Sequence, residues 1–197
     1  MEYQPLGPFL AKSFASSLGS WIVPLEALEP YRVAGPRQEP SPLPHLETPE
    51  SENYDITLGA DLASARMRED GIAPLSITHT NFRDMYWSMA QQLAHATSNG
   101  ACVRAGDLFG SGTISGRDPG SYGSLIELTW RGAHPLALPD GTQRAFLEDG
   151  DELTLHGAAI AEGKPRIGLG SVSGIVLPSE SAARSSTALP LQSTRDR

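Results

Sequence analysis

Four glycines lie close together in GDLFGSGTISG, residues 106–116, and such a bare loop is a candidate for binding a ligand through its backbone. A dinucleotide fingerprint requires G-x-G-x-x-G between a strand and a helix, and a P-loop ends in Gly-Lys-Ser/Thr. Here three residues separate Gly112 from Gly116, and no lysine follows. The next residues, RDPG, are also a poor start for a helix. The loop therefore does not predict a nucleotide site.

A carboxylate lies within the mostly apolar run LIELTW, residues 125–130. The alternation of side chains favours a β-strand here, in which Leu125 and Glu127 share one face. If that face lines a cavity, the Glu127 carboxylate must be paired or protonated. If the strand lies at an edge, Glu127 faces solvent. Lys12, in FLAKSF, is a second charged residue in an apolar setting, where a lysine that extends to the surface is the more common case.

The histidines and the single cysteine do not indicate a metal centre. No two histidines have the spacing of metal ligands on a predicted helix, which favours surface or locally hydrogen-bonded roles for His45, His79, His95, His134 and His156. Cys102 is the single cysteine of the sequence, which allows neither an internal disulfide nor a cysteine-rich zinc site. These residues alone do not predict a reaction.

One segment has the periodicity of an amphipathic helix, from Asn81 to Ser98. Asn81 and Asp84 have capping-box spacing, and apolar residues recur at helical intervals behind them. Asn99-Gly100 is a typical helix end. We interpret the apolar stripe of this helix as core contact, with its methionines as packing residues.

The other periodic stretches alternate with a period of two and are separated by turn sequences such as PDG. They predict strands over 54–58, 125–130, 152–156 and 171–177. Residues 34–50, rich in proline and acid, predict an extended surface connector. Residues 179–197 lack any period and predict a disordered tail. We therefore expect a mainly β (α+β) domain with one long packed helix.

Composition limits the partners of this domain. A chain of 197 residues fits one domain of ordinary size. Its formal charge of −8 disfavours nucleic acid and anionic membranes as partners. We find neither a leader-like segment nor an apolar run long enough to span a bilayer, and we expect a cytoplasmic protein.

Five motifs, in order, give a more specific indication: EYQPLGPFLAKSFASS, NFRDMYWSMAQQLAHATSNGACVRAGDLFGSGTISG, YGSLIELTWRG, FLEDGDELTLHG and RIGLGSVSGIVLP. Together they resemble the carboxy-terminal part of the fumarylacetoacetate hydrolase family, from Glu2 to about Pro178. The resemblance implies a mixed β-sandwich roll. It also implies that residues 1–178 form a partial catalytic domain of this type.

The family resemblance implies hydrolysis of a carbon–carbon bond in 4-fumarylacetoacetate, which yields fumarate and acetoacetate in the last step of tyrosine and phenylalanine catabolism. It implies Mg²⁺ and/or Ca²⁺, an oxyanion hole, and a histidine that activates water. Glu127 matches the glutamate that orients this histidine, and Thr113 matches a threonine that binds the substrate carboxylate. The glycines of this loop would then let its backbone approach a small diacid closely.

Three more positions follow from the resemblance. Tyr3 matches a substrate-binding tyrosine, Lys12 a catalytic lysine near the metal and oxyanion hole, and Ser16 a near-metal position where the family commonly has threonine. The family's metal-binding carboxylates and catalytic histidine precede the EYxPLGPF segment, so we expect a fragment or a natural half, inactive by itself. The full-length form is expected to be a homodimer.

Two alternatives stay open. A decarboxylase, isomerase or hydratase of the same superfamily would act on a related keto acid, because one fold hosts several such reactions. The EYxPLGPFxxKSF and GSLIELTW motifs favour the carbon–carbon hydrolase. Alternatively, the chain is a non-catalytic piece that lacks the metal and histidine site.

Overall fold

The computed structural model describes residues 15–48 and 52–179, and within them antiparallel strands dominate. The strands are β1 Arg32–Ala34, β2 Glu52–Tyr54, β3 Ile56–Ala63, β4 Leu75–Asn81, β5 Leu136–Ala137, β6 Gln143–Arg144, β7 Glu152–Ala159 and β8 Ile167–Ile175. The α-helices are α1 Leu25–Leu28, α2 Ala65–Glu69, α3 Met89–Thr97 and α4 Leu125–Leu128. Single 3-10 turns cover Glu29–Tyr31, Pro44–Leu46, Phe82–Asp84 and Pro119–Ser121. The predicted α+β organisation is confirmed.

A four-stranded antiparallel sheet with the order β4-β3-β7-β8 organises the described part of the chain. Strand β7 pairs with β3 along the whole length of both, from Ile56↔Ala159 to Ala63↔Glu152. The pairing of β3 with β4 shifts register between Ala60 and Asp61. Two-stranded sheets, β1-β2 and β5-β6, flank it.

Two apolar clusters pack along β3. The first contains Leu28, Tyr31, Tyr54, Ile56 and Ala159, and the second contains Leu62, Ala63, Met67 and Leu138. Because β3 is central, its side chains can contribute to both clusters. Strand β3 thus contributes Ile56 to one cluster and Leu62 and Ala63 to the other.

The strand prediction is confirmed for 152–156, which lies in β7, and for residues 171–175 of the predicted strand 171–177, which lie in β8. Strand β8 starts earlier, at Ile167, and ends at Ile175. The predicted strand 54–58 is divided at Asp55 between β2 and β3. The prediction of a strand over 125–130 is wrong, because residues 125–128 form helix α4. The alternation of LIELTW fits either structure over so short a run, and Ser124, three residues before Glu127, starts the helix.

The predicted helix 81–98 is correct only in its second half. Asn81 caps a single 3-10 turn, where its side chain accepts a hydrogen bond from the Arg83 amide at 2.9 Å. The side-chain amide of Asn53 donates to the carbonyls of Arg83 and Met85, at 3.0 and 2.6 Å, and these bonds stabilise a non-helical path between the 3-10 turn and α3. Helix α3 then begins with Ser88 as its cap. Within the described ranges, no helix is long and apolar enough to cross a bilayer.

Within residues 34–48, the predicted connector is mostly irregular but firmly attached to α3. Gln38 and Gln91 exchange side-chain hydrogen bonds of 2.8 and 2.9 Å. Gln91, which is only 1% exposed, also donates to the Leu46 carbonyl at 2.9 Å. The Glu39 amide donates to the Tyr86 hydroxyl at 2.9 Å. The segment therefore acts as a strap across the start of the helix.

A buried ion pair connects Arg144, at the end of β6, to Asp151, the residue directly before β7. Arg144 Nε donates to Asp151 Oδ2 at 2.8 Å, and Nη2 donates to Oδ1 at 3.0 Å. Asp151 is fully buried and also accepts the Glu148 amide at 2.8 Å. The hydrogen bonds to Asp151 raise the pKa of the Arg144 guanidinium.

Asp140, in the hairpin turn, is a second well-satisfied carboxylate. It accepts hydrogen bonds from the Ser64 hydroxyl, from the Thr142 hydroxyl at 2.6 Å and from the Thr142 amide at 2.9 Å. These bonds, with that of Ser64 the strongest, lower the pKa of Asp140 to about 2. The turn therefore carries a negative charge over almost the whole pH range in which proteins are studied.

Candidate active site

Helix α4 carries Glu127 near its start. Ser124 is the cap residue with extended backbone angles, and Glu127 is the third residue of the helix. The Glu127 amide donates to the Ser124 carbonyl at 3.2 Å, and the Thr129 amide donates to the Leu125 carbonyl at 2.9 Å. The Glu127 side chain is half-buried rather than solvated. Glu127 therefore lies on a helix and not on the predicted strand, and its side chain is only partly accessible to solvent.

Two serine hydroxyls donate to the Glu127 carboxylate. Ser124 Oγ lies 2.6 Å from Oε2, and Ser115 Oγ lies 2.9 Å from Oε2 and 3.1 Å from Oε1. Ser115 Oγ in turn accepts the Gly123 amide at 3.0 Å. Sequence analysis missed both serines as site residues. The Ser124-x-x-Glu127 pattern was the available signal, since it is typical of a helix start.

The glycine loop doubles back against the segment that leads into α4. A Cβ atom on Gly123 would lie 2.2 Å from the Ile114 carbonyl oxygen, and one on Gly116 would lie 2.4 Å from Ser121 Oγ. The Gly116 amide donates to the Ser121 carbonyl at 2.9 Å. Gly112 has a φ of 73°, which favours glycine. Glycine at 123 is therefore required by close packing against the Ile114 backbone, and a side chain at 116 would displace Ser121.

The chain leaves α4 through a tight left-handed turn. Trp130 and Arg131 have φ angles of 50° and 59°, which are uncommon for residues with side chains. Thr129, fully buried, anchors the turn by donating to the Leu125 carbonyl at 2.7 Å and accepting the Gly132 amide at 3.1 Å. Such conformations persist where the surroundings enforce them, and they cluster at functional sites.

A cleft of about 540 Å³ opens beside this turn. It is lined by Tyr122, Ile126, Glu127, Trp130 and Arg131. The arrangement presents a carboxylate, a guanidinium and two aromatic rings to one space. A carboxylate held by hydroxyl donors can accept a further hydrogen bond and stabilise a neighbouring cation.

The structure places the other predicted residues as follows. Thr113 is exposed in the glycine loop, two residues from Ser115, and its methyl carbon lies close to Gly123. Ser16 is exposed, and its neighbours Ala15 and Ser17 line a cavity along β8. Tyr3 and Lys12 lie outside the described residues, as do residues 180–197 of the predicted tail.

The segments that lead to Glu127 and away from Ser16 contact different edge strands of the sheet. Residues 119–121 lie against β4, where the Thr78 hydroxyl donates to the Gly120 carbonyl at 3.3 Å. Gly19 approaches Ser171 of β8, the other edge strand. The structure thus brings the Thr113 loop to Glu127 through Ser115 but does not bring Ser16 there. The predicted roles of these residues stay predictions.

The donors present do not fit a metal centre. Among residues 15–48 and 52–179, no group of three or more histidine, cysteine, aspartate or glutamate side chains could hold a metal ion. No described histidine lines the Glu127 cleft. His156 Nε2 lies 3.3 Å from Asp61 and His79 Nε2 lies 3.1 Å from Ser76 Oγ, which confirms local polar contacts for these two. We therefore derive no step through a metal.

Comparison with known proteins identifies the class to which this fold and site belong. The family model described as fumarylacetoacetate (FAA) hydrolase C-terminal matches residues 1–176. The chain belongs to this family of hydrolases.

Individual relatives agree with this assignment. The chain is 50% identical over 178 residues to the fumarylacetoacetase of Arabidopsis thaliana, which covers 90% of the chain and 41% of the relative. It is 46% identical over 177 residues to that of Homo sapiens, with 90% and 41% covered, and 48% identical over 180 residues to that of Caenorhabditis elegans, with 91% and 41% covered. The chain thus spans about two fifths of the length of the curated relatives it matches.

Proposed function

We propose that this chain supplies the carboxy-terminal part of a fumarylacetoacetase-type hydrolytic site. The overall reaction adds water across a carbon–carbon bond of 4-fumarylacetoacetate and yields fumarate and acetoacetate. The single observation that carries the proposal is the Glu127 carboxylate, which two serine hydroxyls hold at the edge of a cleft. A fixed carboxylate of this kind suits a partner imidazole that takes a proton from water.

In this proposal Glu127 accepts a hydrogen bond from the catalytic histidine, which another part of the full-length protein provides. The carboxylate selects the tautomer of the imidazole and stabilises the imidazolium that forms as water loses its proton. Thr113, exposed in the loop that Ser115 ties to Glu127, offers a hydroxyl to a carboxylate of the substrate. Tyr3 binds substrate, and Lys12 acts at the oxyanion.

Further parts of the proposal concern the complete protein. Mg²⁺ and/or Ca²⁺ is the proposed metal of the complete protein, with Lys12 and Ser16 near it and its carboxylate ligands supplied from outside this chain. We propose that residues 1–178 form the partial domain and residues 179–197 a tail. We also propose that the complete form is a cytoplasmic homodimer. A small diketo acid is the proposed partner.

The test joins residues 1–197 to the amino-terminal part of the Arabidopsis thaliana fumarylacetoacetase that precedes its matched segment. We call this the joined protein. We expect it to release fumarate and acetoacetate in equal amounts when metal is supplied, and the 197-residue chain alone to release neither. Release of carbon dioxide, or conversion without cleavage, would favour a related keto-acid enzyme. A soluble, folded joined protein without any turnover would refute the proposal and favour the non-catalytic alternative.

A further inference from the structure

Two helix starts in this chain carry the same Ser-x-x-Glu/Gln spacing but make different hydrogen bonds. At α3, the Gln91 amide donates to Ser88 Oγ at 3.3 Å and the Ser88 amide donates to Gln91 Oε1 at 3.0 Å, which is a complete capping box. At α4, the Ser124 side chain accepts no such capping bond. Its hydroxyl instead donates to Glu127 Oε2 at 2.6 Å. The hydroxyl at α4 therefore serves the carboxylate rather than the helix backbone.

Ser115 reaches the same carboxylate from a different part of the chain. Its hydroxyl oxygen accepts the Gly123 amide, so its single proton is free to point towards Glu127. The close backbone contact between Ile114 and Gly123 limits how far Ser115 can move. Glu127 thus accepts one hydroxyl from Ser124, three residues earlier in the sequence, and another from Ser115, twelve residues earlier.

The two donors are not shared equally between the carboxylate oxygens. Ser124 and the shorter of the two Ser115 contacts both go to Oε2, at 2.6 and 2.9 Å. Among the residues that the structure describes, Oε1 has only the longer Ser115 contact of 3.1 Å, and one hydroxyl proton cannot fully serve both oxygens. Oε1 therefore keeps capacity for another donor, and Glu127 lines the open cleft.

The geometry points to Ser115 and Ser124 as positioning residues that hold Glu127 with Oε1 available to the catalytic imidazole. This inference rests on the proposed function. Neither serine touches substrate in this scheme, and both act through Glu127. Because hydrogen bonds to charged groups are among the stronger ones, loss of either hydroxyl should let the carboxylate leave its orientation.

The kinetic test uses the joined protein. We expect Ser115→Ala and Ser124→Ala each to lower kcat by about tenfold to a hundredfold with little change in KM, in line with the strength of hydrogen bonds to charged groups. Ser115→Thr and Ser124→Thr keep the hydroxyl and should retain most of the turnover. Ser121→Ala is the matched control, because the Ser121 hydroxyl donates to the Asp118 carbonyl and does not contact Glu127.

A second test uses the 197-residue chain and needs no activity. Ser115→Ala removes the acceptor of the Gly123 amide, and Glu127→Ala removes the group that holds Ser115. We expect both variants to shift the Gly123 amide resonance and speed its hydrogen exchange, while Ser121→Ala does neither. A response to Ser115→Ala alone would show that Glu127 does not hold Ser115, and would overturn the inference.

The kinetic outcomes separate the inference from the proposed function. Normal kcat in both alanine variants, with a strongly impaired Glu127→Gln, would overturn the positioning role and leave the function standing. A folded joined protein without turnover would remove the function, and the positioning role with it.

Discussion

Replacement of Glu127 by glutamine in the joined protein tests the central residue of the proposed site. A glutamine carbonyl oxygen can still accept the hydroxyls of Ser115 and Ser124, so shape and position should be kept. The negative charge is lost. Opposite charges about 4 Å apart attract by about 4 kcal/mol at an effective dielectric constant of about 20. Since about 1.4 kcal/mol corresponds to a tenfold change in rate, kcat should fall by roughly a thousandfold.

This value lies within the roughly hundredfold to ten-thousandfold range expected by analogy with triad carboxylates. The assay follows fumarate release at several substrate concentrations, so that kcat and KM are obtained separately, together with a melting curve. KM and the melting temperature should change little. Glu148→Gln is the control, because that carboxylate is 62% exposed and does not line the cleft.

A Glu127→Gln protein with a kcat within a few-fold of the wild type, and with a normal melting curve, would refute the reasoning. The carboxylate would then be a structural acceptor for the two serines and nothing more. A fall in melting temperature comparable with the fall in turnover would equally contradict a specific role in catalysis.

Three further predictions concern stability. Asp151→Asn removes the buried carboxylate that Arg144 binds and leaves only the largely exposed Glu148 carboxylate, 3.4 Å from Nη1, as a counter-charge. It should lower the free energy of unfolding in urea by about 3–5 kcal/mol. An unchanged free energy of unfolding would contradict a stabilising role for the ion pair. Asp140→Asn should lower the melting temperature above pH 4, because the folded-state pKa of about 2 is below the usual 3.8 and the stabilisation is lost as the pH falls through about 2. The melting temperatures of the wild type and of Asp140→Asn should therefore converge near pH 2. A difference in melting temperature that does not change with pH would contradict the lowered pKa of Asp140. Gln91→Leu should cost about 1–3 kcal/mol, since it leaves the Leu46 carbonyl without its donor, and proteolysis within residues 38–46 should speed up.

The sequence predicts well the features that local pattern controls. Alternation identifies β7 and β8, and the Asn99-Gly100 signal marks the end of α3, where Gly100 has a φ of 84°. These succeed because long alternating runs and left-handed glycines have few structural solutions. The family resemblance, which rests on five ordered motifs, is confirmed by the match over residues 1–176.

The failures occur where a distant residue decides the structure. Asn53 binds the carbonyls of Arg83 and Met85 and stabilises a non-helical path there, and no pattern within 81–98 reveals this. Residues 125–130 are too short for periodicity to separate helix from strand. The contact between Ser115 and Glu127 depends on how the glycine loop folds back, which sequence spacing does not show.

The segment that carries the candidate site is held mainly by polar contacts. Between residues 98 and 137, all of which the structure describes, only Thr129 is buried. Its hydroxyl bonds to Leu125 and Ala145, and the Thr78 hydroxyl bonds to Gly120, which ties this region to the hairpin and to the sheet edge. A region with so little apolar burial gains its stability from such bonds and from whatever covers it. The relatives are more than twice as long as the matched region, and we propose that their remaining chain covers this segment. In the proposed function the same remaining chain carries the histidine that donates to Glu127, so completion of the site and stabilisation of this segment would occur together.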